Sequence, residues 1–270
     1  MTSVAELTDW QLLCDRGPEL VLCLDFAGGR AAAGFAELAA AAPADSCFLH
    51  LRPPAPRGEP DLLDPRLEEW VRQVLATGRP VRAVLGFCGG ACLATRVADA
   101  VASAGHPPPR TVLFDAVVPA GATALSDQFT AAITASAEHL TEAELDDAHR
   151  YAERLLDRYP KDLPGIAAAL AGRYETLMTA MAGRLALHDV FRRELTAGFA
   201  SYLTYLRLAS QGGLDTHTGT PLFVSSVDHE PEQAAAPEWT VSLDVDRADL
   251  LRDAETTKLV ADVLRGEFSW

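Results

Sequence analysis

The chain has 270 residues, enough for one α/β domain or for a core with a sizeable insertion, and cramped for two unrelated domains. With 49% hydrophobic and 23% charged residues it has the composition of a chain that buries a full core, which excludes disorder as the reading. Its formal net charge of −15 opposes a polyphosphate backbone and argues against a nucleic-acid partner, and an acidic protein partner would have to find a local basic patch.

After Gly17-Pro18, the run Leu20-Val21-Leu22-Cys23-Leu24 is short and continuously apolar, the pattern of a strand buried on both faces of a parallel sheet. It ends at Asp25-Phe26-Ala27-Gly28-Gly29. An alanine-rich helix is expected over about 31–42, then a strand at Cys47-Phe48-Leu49-His50-Leu51 and a proline-rich loop from Arg52 to Pro60. An amphipathic helix follows from Pro65 to Ala76, with proline in the first turn, where its missing N–H had no helical acceptor to find. The strand Val81-Arg82-Ala83-Val84-Leu85 runs into the turn Gly86-Phe87-Cys88-Gly89-Gly90 and a helix from Ala91 to Ala104, and Val112-Leu113-Phe114 delivers Asp115 at the end of a further strand. This alternation predicts a doubly wound, mostly parallel sheet.

From about 123 to 210 the pattern is helical throughout, with a capping box at Thr141-Glu142-Ala143-Glu144 and Leu145, Ala148, Ala152, Leu155 and Leu156 on one helix face. The expected organisation is a core of residues 1–122 and 213–270 with a helical lid, 123–212, inserted into it. Strands resume at Pro221–Ser225 and Thr240–Val245, and a final helix is expected from Asp253 to Leu264. The N-terminus has no basic region followed by an apolar stretch, and no run approaches the ~20 apolar residues that span a bilayer, so the expectation is a cytoplasmic protein that does not engage a membrane.

The five cysteines, Cys14, Cys23, Cys47, Cys88 and Cys92, are odd in number and contain no CxxC pair, so the sequence signals neither a disulfide framework nor a metal site, and it calls for no cofactor. Cys88 stands apart from the rest. A cysteine on a G-x-C-x-G turn between a buried strand and a helix projects above the sheet, because the glycines let the chain turn sharply without Cβ clashes. The following helix places partial positive charge and free N–H groups beside the sulfur, so Cys88 is the candidate nucleophile and the N–H of Gly89 a candidate oxyanion donor. Cys92, one helical turn on, and Cys14, Cys23 and Cys47, in or near apolar runs, read as packing residues. Ala27, in the loop after the first buried strand, is the candidate second oxyanion donor, against a plain Gly-Gly chain reversal. Asp115 reaches the same rim of the sheet as Cys88 and is the candidate acid. Among the seven histidines, most of which read as solvated surface residues, His229 follows a strand that ends on this rim and is the first choice of base, with His188 and His217 next.

On these residues the chain resembles the thioesterases of polyketide and nonribosomal-peptide assembly lines over nearly its whole length. The matching pieces are Leu22–Gly29, the elbow Gly86–Ala94, the strand Val112–Pro119, and Trp239 with Leu250-Leu251-Arg252-Asp253. The resemblance implies an α/β-hydrolase fold, Cys88 as nucleophile, Asp115 as triad acid, inserted helices over the acyl chain, and a partner that is an acyl or peptidyl carrier protein bearing a phosphopantetheine thioester. Cysteine in place of the family's serine makes the chain similar to the cysteine-dependent Dieckmann cyclases, which form tetramate- or pyridone-type rings. The family's terminal histidine falls on Arg247. The implied function is ring-forming release of an acyl chain from Cys88, with a hydrolytic editing thioesterase and a noncatalytic carrier-protein or acyl-chain binder as alternatives.

Overall fold

Leu20, Val21, Leu22, Cys23 and Leu24 are fully buried in the computed structural model, which describes residues 2–26, 32–42, 45–57, 62–119, 121–216, 218–230, 239–268 and 270. In chain order the elements are β1 (Trp10–Asp15), β2 (Glu19–Leu24), α1 (Phe35–Ala41), β3 (Ser46–Leu51), α2 (Leu63–Leu75), β4 (Val81–Phe87), α3 (Gly90–Ser103), β5 (Arg110–Phe114), α4 (Gly121–Thr134), α5 (Glu142–Arg158), α6 (Leu163–Leu185), α7 (Asp189–Ala209), β6 (Leu222–Ser225), β7 (Thr240–Ser242) and α8 (Ala254–Arg265). Among the described residues the strands form one seven-stranded sheet in the order β1-β3-β2-β4-β5-β6-β7. All neighbours are parallel except β1, which pairs antiparallel with β3. The α/β architecture expected from the sequence is the one observed.

The chain divides into two compact units, Met1–Arg52 with Leu62–Val118 and Gln211–Trp270, and Pro53–Asp61 with Pro119–Ser210. In the first unit, side chains alternate between the faces of each strand. Val21, Cys23, Phe48, Ala83, Leu85, Phe87, Val112 and Phe114 therefore join Phe35 and Leu38 of α1 and Leu259, Val260 and Val263 of α8 in one buried cluster. The opposite face receives α3, and Gly86 is needed there. A Cβ on Gly86 would stand 2.7 Å from Ala91 Cα and 2.8 Å from both Ala94 Cβ and Gly90 O, so only glycine lets α3 lie this close to β4.

Among the described residues the second unit has four α-helices, α4 to α7. The expected capping box opens α5: the Thr141 hydroxyl accepts from the Glu144 N–H while the Glu144 carboxylate accepts from the Thr141 N–H. Asp162 caps α6 by accepting from the Gly165 N–H, and Ala186 ends that helix in the left-handed conformation. Tyr174 and Phe199 pack at 4.2 Å between ring centroids with their planes tilted by 35°, and Phe129 lies beside them, all three buried. Among the described residues no helix is long and apolar enough to cross a membrane.

Several elements differ from expectation. The strand β1 was not foreseen, since Trp10-Gln11-Leu12-Leu13-Cys14-Asp15 is an irregular, bulged edge strand in which only Trp10 is buried. β7 stops at Ser242 rather than Val245, and the helix expected over 31–42 is confined to Phe35–Ala41. The segment Pro53–Asp61, taken from the sequence as a loop of the core, groups with the helical unit.

Candidate active site

Cys88 follows β4 directly and has φ of 55°. A left-handed conformation at a residue with a side chain costs about 1–2 kcal/mol, and such strain persists where the surrounding structure imposes it. Here the imposing contacts are visible. The Cys88 N–H donates to Phe114 O at 2.9 Å, and the Cys88 carbonyl accepts from the N–H groups of Ala91 at 3.0 Å and Val117 at 3.3 Å. The side chain is half-buried at the mouth of the elbow. Gly89 is the N-cap of α3, so its N–H belongs to the helix-end donors that have no intrahelical acceptor. Ala27 lies outside the described residues, as does His217.

The residue beside Cys88 on the next strand is Asp115, since Phe87 pairs with Phe114 in register. Asp115 also has positive φ, 41°, so the core unit holds two strained non-glycine residues side by side among the described residues. Its carboxylate is completely buried, and two donors from one residue hold it: the Ser226 N–H reaches Oδ1 and the Ser226 hydroxyl reaches Oδ2, each at 2.8 Å. The Asp115 N–H donates in turn to Val224 O at 2.9 Å, which binds the end of β5 to β6. Ser226 was missed from the sequence. Its signal was weak: a serine just past the strand that follows the acid's own.

Arg247 supplies the positive charge near this carboxylate. Its Nε lies 4.0 Å from Asp115 Oδ2, and its guanidinium carbon sits 5.2 Å from the centre of the Phe87 ring. The arginine at the position where the resemblance leads one to look for histidine therefore stands next to the acid. Arginine is a permanent cation and cannot accept a proton from a thiol.

His229 is half-buried, and its backbone N–H donates to Ser226 O at 3.3 Å. That turn sets it just past the residue holding Asp115. Its imidazole makes no hydrogen bond or ion pair to Cys88 or Asp115 among the described residues. His188 instead caps α7, accepting at Nδ1 from the Val190 N–H. His50 departs from the surface reading given to most of the histidines: it is 9% exposed, with Nε2 at 2.7 Å from Asp25 Oδ1. β2 lies between the strand of His50 and β4, while Asp25 directly follows Leu24, the β2 residue that pairs with Gly86 of the elbow.

Of the remaining thiols, Cys14 is half-buried on the edge strand β1, and the other three are poorly disposed to react. Burial pushes the Cys23 thiol well above its usual value, with the charges of Asp25 and Cys14 adding to the effect. Cys47 is pushed up to about 12, mainly by burial and then by Asp15. Cys92 is fully buried, with its sulfur 3.6 Å from Val117 O. Among the described residues no cluster of His, Cys, Asp or Glu has the makings of a metal site.

A family profile described as the thioesterase domain matches residues 19–159. Among solved structures, the chain is similar to the Vlm2 thioesterase domain bound with a dodecadepsipeptide, at 17% identity and a TM-score of 0.50, over 96% of this chain and 98% of that one. It is also similar to the four-domain nonribosomal peptide synthetase holo-AB3403 bound to AMP and glycine, at 15% identity and a TM-score of 0.56, over 97% of this chain and 20% of that one. At such identities the likeness speaks for the fold, which is of the α/β-hydrolase type. No curated protein sequence matches the chain.

Proposed function

As the chain belongs to the thioesterase domain family, we propose that it releases acyl chains from an assembly line by taking them from a carrier-protein phosphopantetheine thioester onto Cys88. The observation that carries this reading is the strained left-handed Cys88 at the N-terminal end of α3, beside an equally strained, buried Asp115. Strain of this kind is retained where a side chain must be presented for chemistry. In this reading the sulfur attacks the carrier-bound carbonyl, the N–H of Gly89 and that of Ala27 receive the developing oxyanion, and the carrier's thiol departs. His229, in the turn past Ser226, is the base that takes and returns the proton. A carbon nucleophile within the chain then attacks the Cys88 thioester in a Dieckmann-type step that closes a tetramate or pyridone ring. A thioester carbonyl is less delocalised than an ester carbonyl, which supports cysteine for carbon–carbon bond formation. Family membership favours hydrolysis as the second reading, in which water takes the place of the carbon nucleophile.

The test is incubation with a synthetic β-ketoamide thioester, followed by intact-protein mass and product chromatography. The expected result is an acyl adduct that is lost in Cys88→Ala and retained in Cys92→Ala, with a ring as product. His229→Ala should lower cyclisation by on the order of 10²–10⁴-fold. A linear acid as sole product selects hydrolysis, and a protein that never acquires an adduct rejects both enzymatic readings.

A further inference from the structure

Arg247 is held with unusual firmness for a residue with no place in a proton-transfer triad. Its backbone N–H donates to Asp228 Oδ2 at 3.1 Å, and the stretch before it is fastened by the Val227 N–H on Val245 O at 3.1 Å and the Leu243 N–H on Ser225 O at 2.9 Å. Its side chain is pinned at the other end by the Phe87 ring at 5.2 Å and by Asp115 at 4.0 Å. Both ends thus fix a cation beside the residue that precedes Cys88 in the chain.

A guanidinium carries five N–H donors in a planar fork. Asp115, its nearest anion, already accepts from Ser226 at both oxygens, and 4.0 Å is an ion-pair separation rather than a hydrogen bond. Among the described residues no protein acceptor takes a hydrogen bond from the Arg247 guanidinium, while its side chain remains 36% exposed. Asp115 therefore balances the charge and leaves the fork unoccupied. A planar fork with free donors selects a planar anion with two oxygens, which it engages in a bidentate manner.

We propose that Arg247 is an anion-binding residue of the active site that recognises a 1,3-dicarbonyl group in its enolate form. The assignment rests on the release reading for its place in catalysis, and on Arg247's own surroundings for the binding. In the ring-closing step the carbon between the two carbonyls gives its proton to the base, and the resulting charge spreads over two oxygens facing the guanidinium. That carbon forms a bond to the Cys88 thioester carbonyl while the carbon–sulfur bond breaks. The electron pair leaves with the sulfur, which recovers the proton from the base. Arg247 holds the enolate before and during attack, so a weaker base suffices than an unassisted carbon acid would need.

The experiment measures binding and chemistry separately. The binding probe is a soluble cyclic 1,3-dicarbonyl acid of the acyltetramate class, titrated as its anion into the full chain by calorimetry, with its neutral O-methyl ether as control. Arg247→Ala should weaken the anion by about tenfold or more in both the wild-type and the Cys88→Ala backgrounds. Arg247→Lys, which keeps the charge and loses the fork, should fall between, and the ether should bind weakly to all. Circular dichroism and thermal melting verify that each variant is folded. Equal binding by wild type and Arg247→Ala overturns the proposal, as does full binding by Arg247→Lys. The catalytic readout is single-turnover ring closure by preloaded acyl-enzyme. Arg247→Ala should slow it, move its pH profile upward, and recover part of the rate with added guanidinium ion. An unmoved profile refutes the catalytic role. Should wild type bind the probe through Arg247 yet never acylate Cys88, the release reading fails while the anion site stands.

Discussion

Replacing Ser226 by alanine tests how the acid of the site is held. The Asp115 carboxylate is completely buried, with hydrogen bonds of 2.8 Å from the Ser226 hydroxyl and the Ser226 N–H. The substitution removes the hydroxyl and leaves the backbone donor in place. A hydrogen bond to a charged group contributes about 1.5–3 kcal/mol, and here no water can replace it without entering a closed space. We expect a loss of about 2 kcal/mol, which at a urea slope near 2 kcal/mol/M moves the denaturation midpoint by roughly 1 M. Ser225→Ala is the matched control, because Ser225 is also buried and its side chain makes no hydrogen bond among the described residues. It should shift stability by no more than about 0.5 kcal/mol. Urea unfolding by intrinsic fluorescence gives both values. Equal losses from the two variants, or no measurable loss in Ser226→Ala, would refute the claim that the Ser226 hydroxyl anchors Asp115.

Iodoacetamide at neutral pH should label Cys88, at the N-terminal end of α3, ahead of the equally half-buried Cys14, whose sulfur lies against Ala39 O and Ser46 O, with Cys23 and Cys47 inert because burial keeps both as thiols, Cys47 with its pKa near 12; peptide mapping reads the order. Gly86→Ala should cost about 1–3 kcal/mol and depress acyl loading together, since its Cβ would press within 2.8 Å of Ala91 and Ala94 and displace the start of α3; an active variant of native stability would contradict the packing argument. Arg184 and the Thr141 N–H hold the Glu144 carboxyl at about 2 against an ordinary 4.5, so its stabilising contribution is complete above about pH 4.5 and is lost as pH falls through about 2. Melting curves of wild type and Glu144→Gln should therefore differ near neutrality and converge towards pH 2.

Much of the core and the elbow could be read from the chain because both are encoded by neighbours in sequence. A run such as Leu20–Leu24 can be stable only where both faces are covered, so it names a central parallel strand wherever it occurs. The capping box Thr141–Glu144 is complete within four residues. Gly86-Phe87-Cys88-Gly89-Gly90 likewise carries its own turn chemistry, and placing Asp115 next to Cys88 required only that consecutive strands be adjacent, as β4 and β5 are.

What tertiary structure alone decided is which distant side chains meet. Trp10–Asp15 becomes a strand because β3 offers it an edge, and nothing in its local pattern records that edge. His50 is buried against Asp25 because β2 and β3 lie side by side in parallel register, which no histidine spacing reveals. Ser226 meets Asp115, and Arg247 meets Phe87, only after β6 has joined β5 and the chain beyond β7 has run on in parallel beside the end of β6. Periodicity and turn chemistry are properties of adjacent residues and survive in the sequence, whereas these pairings depend on sheet order and on the direction of each side chain at its strand end. The sequence thus determined the elbow and its thiol, and the folded sheet determined that the acid beside them is held by a serine and faced by an arginine.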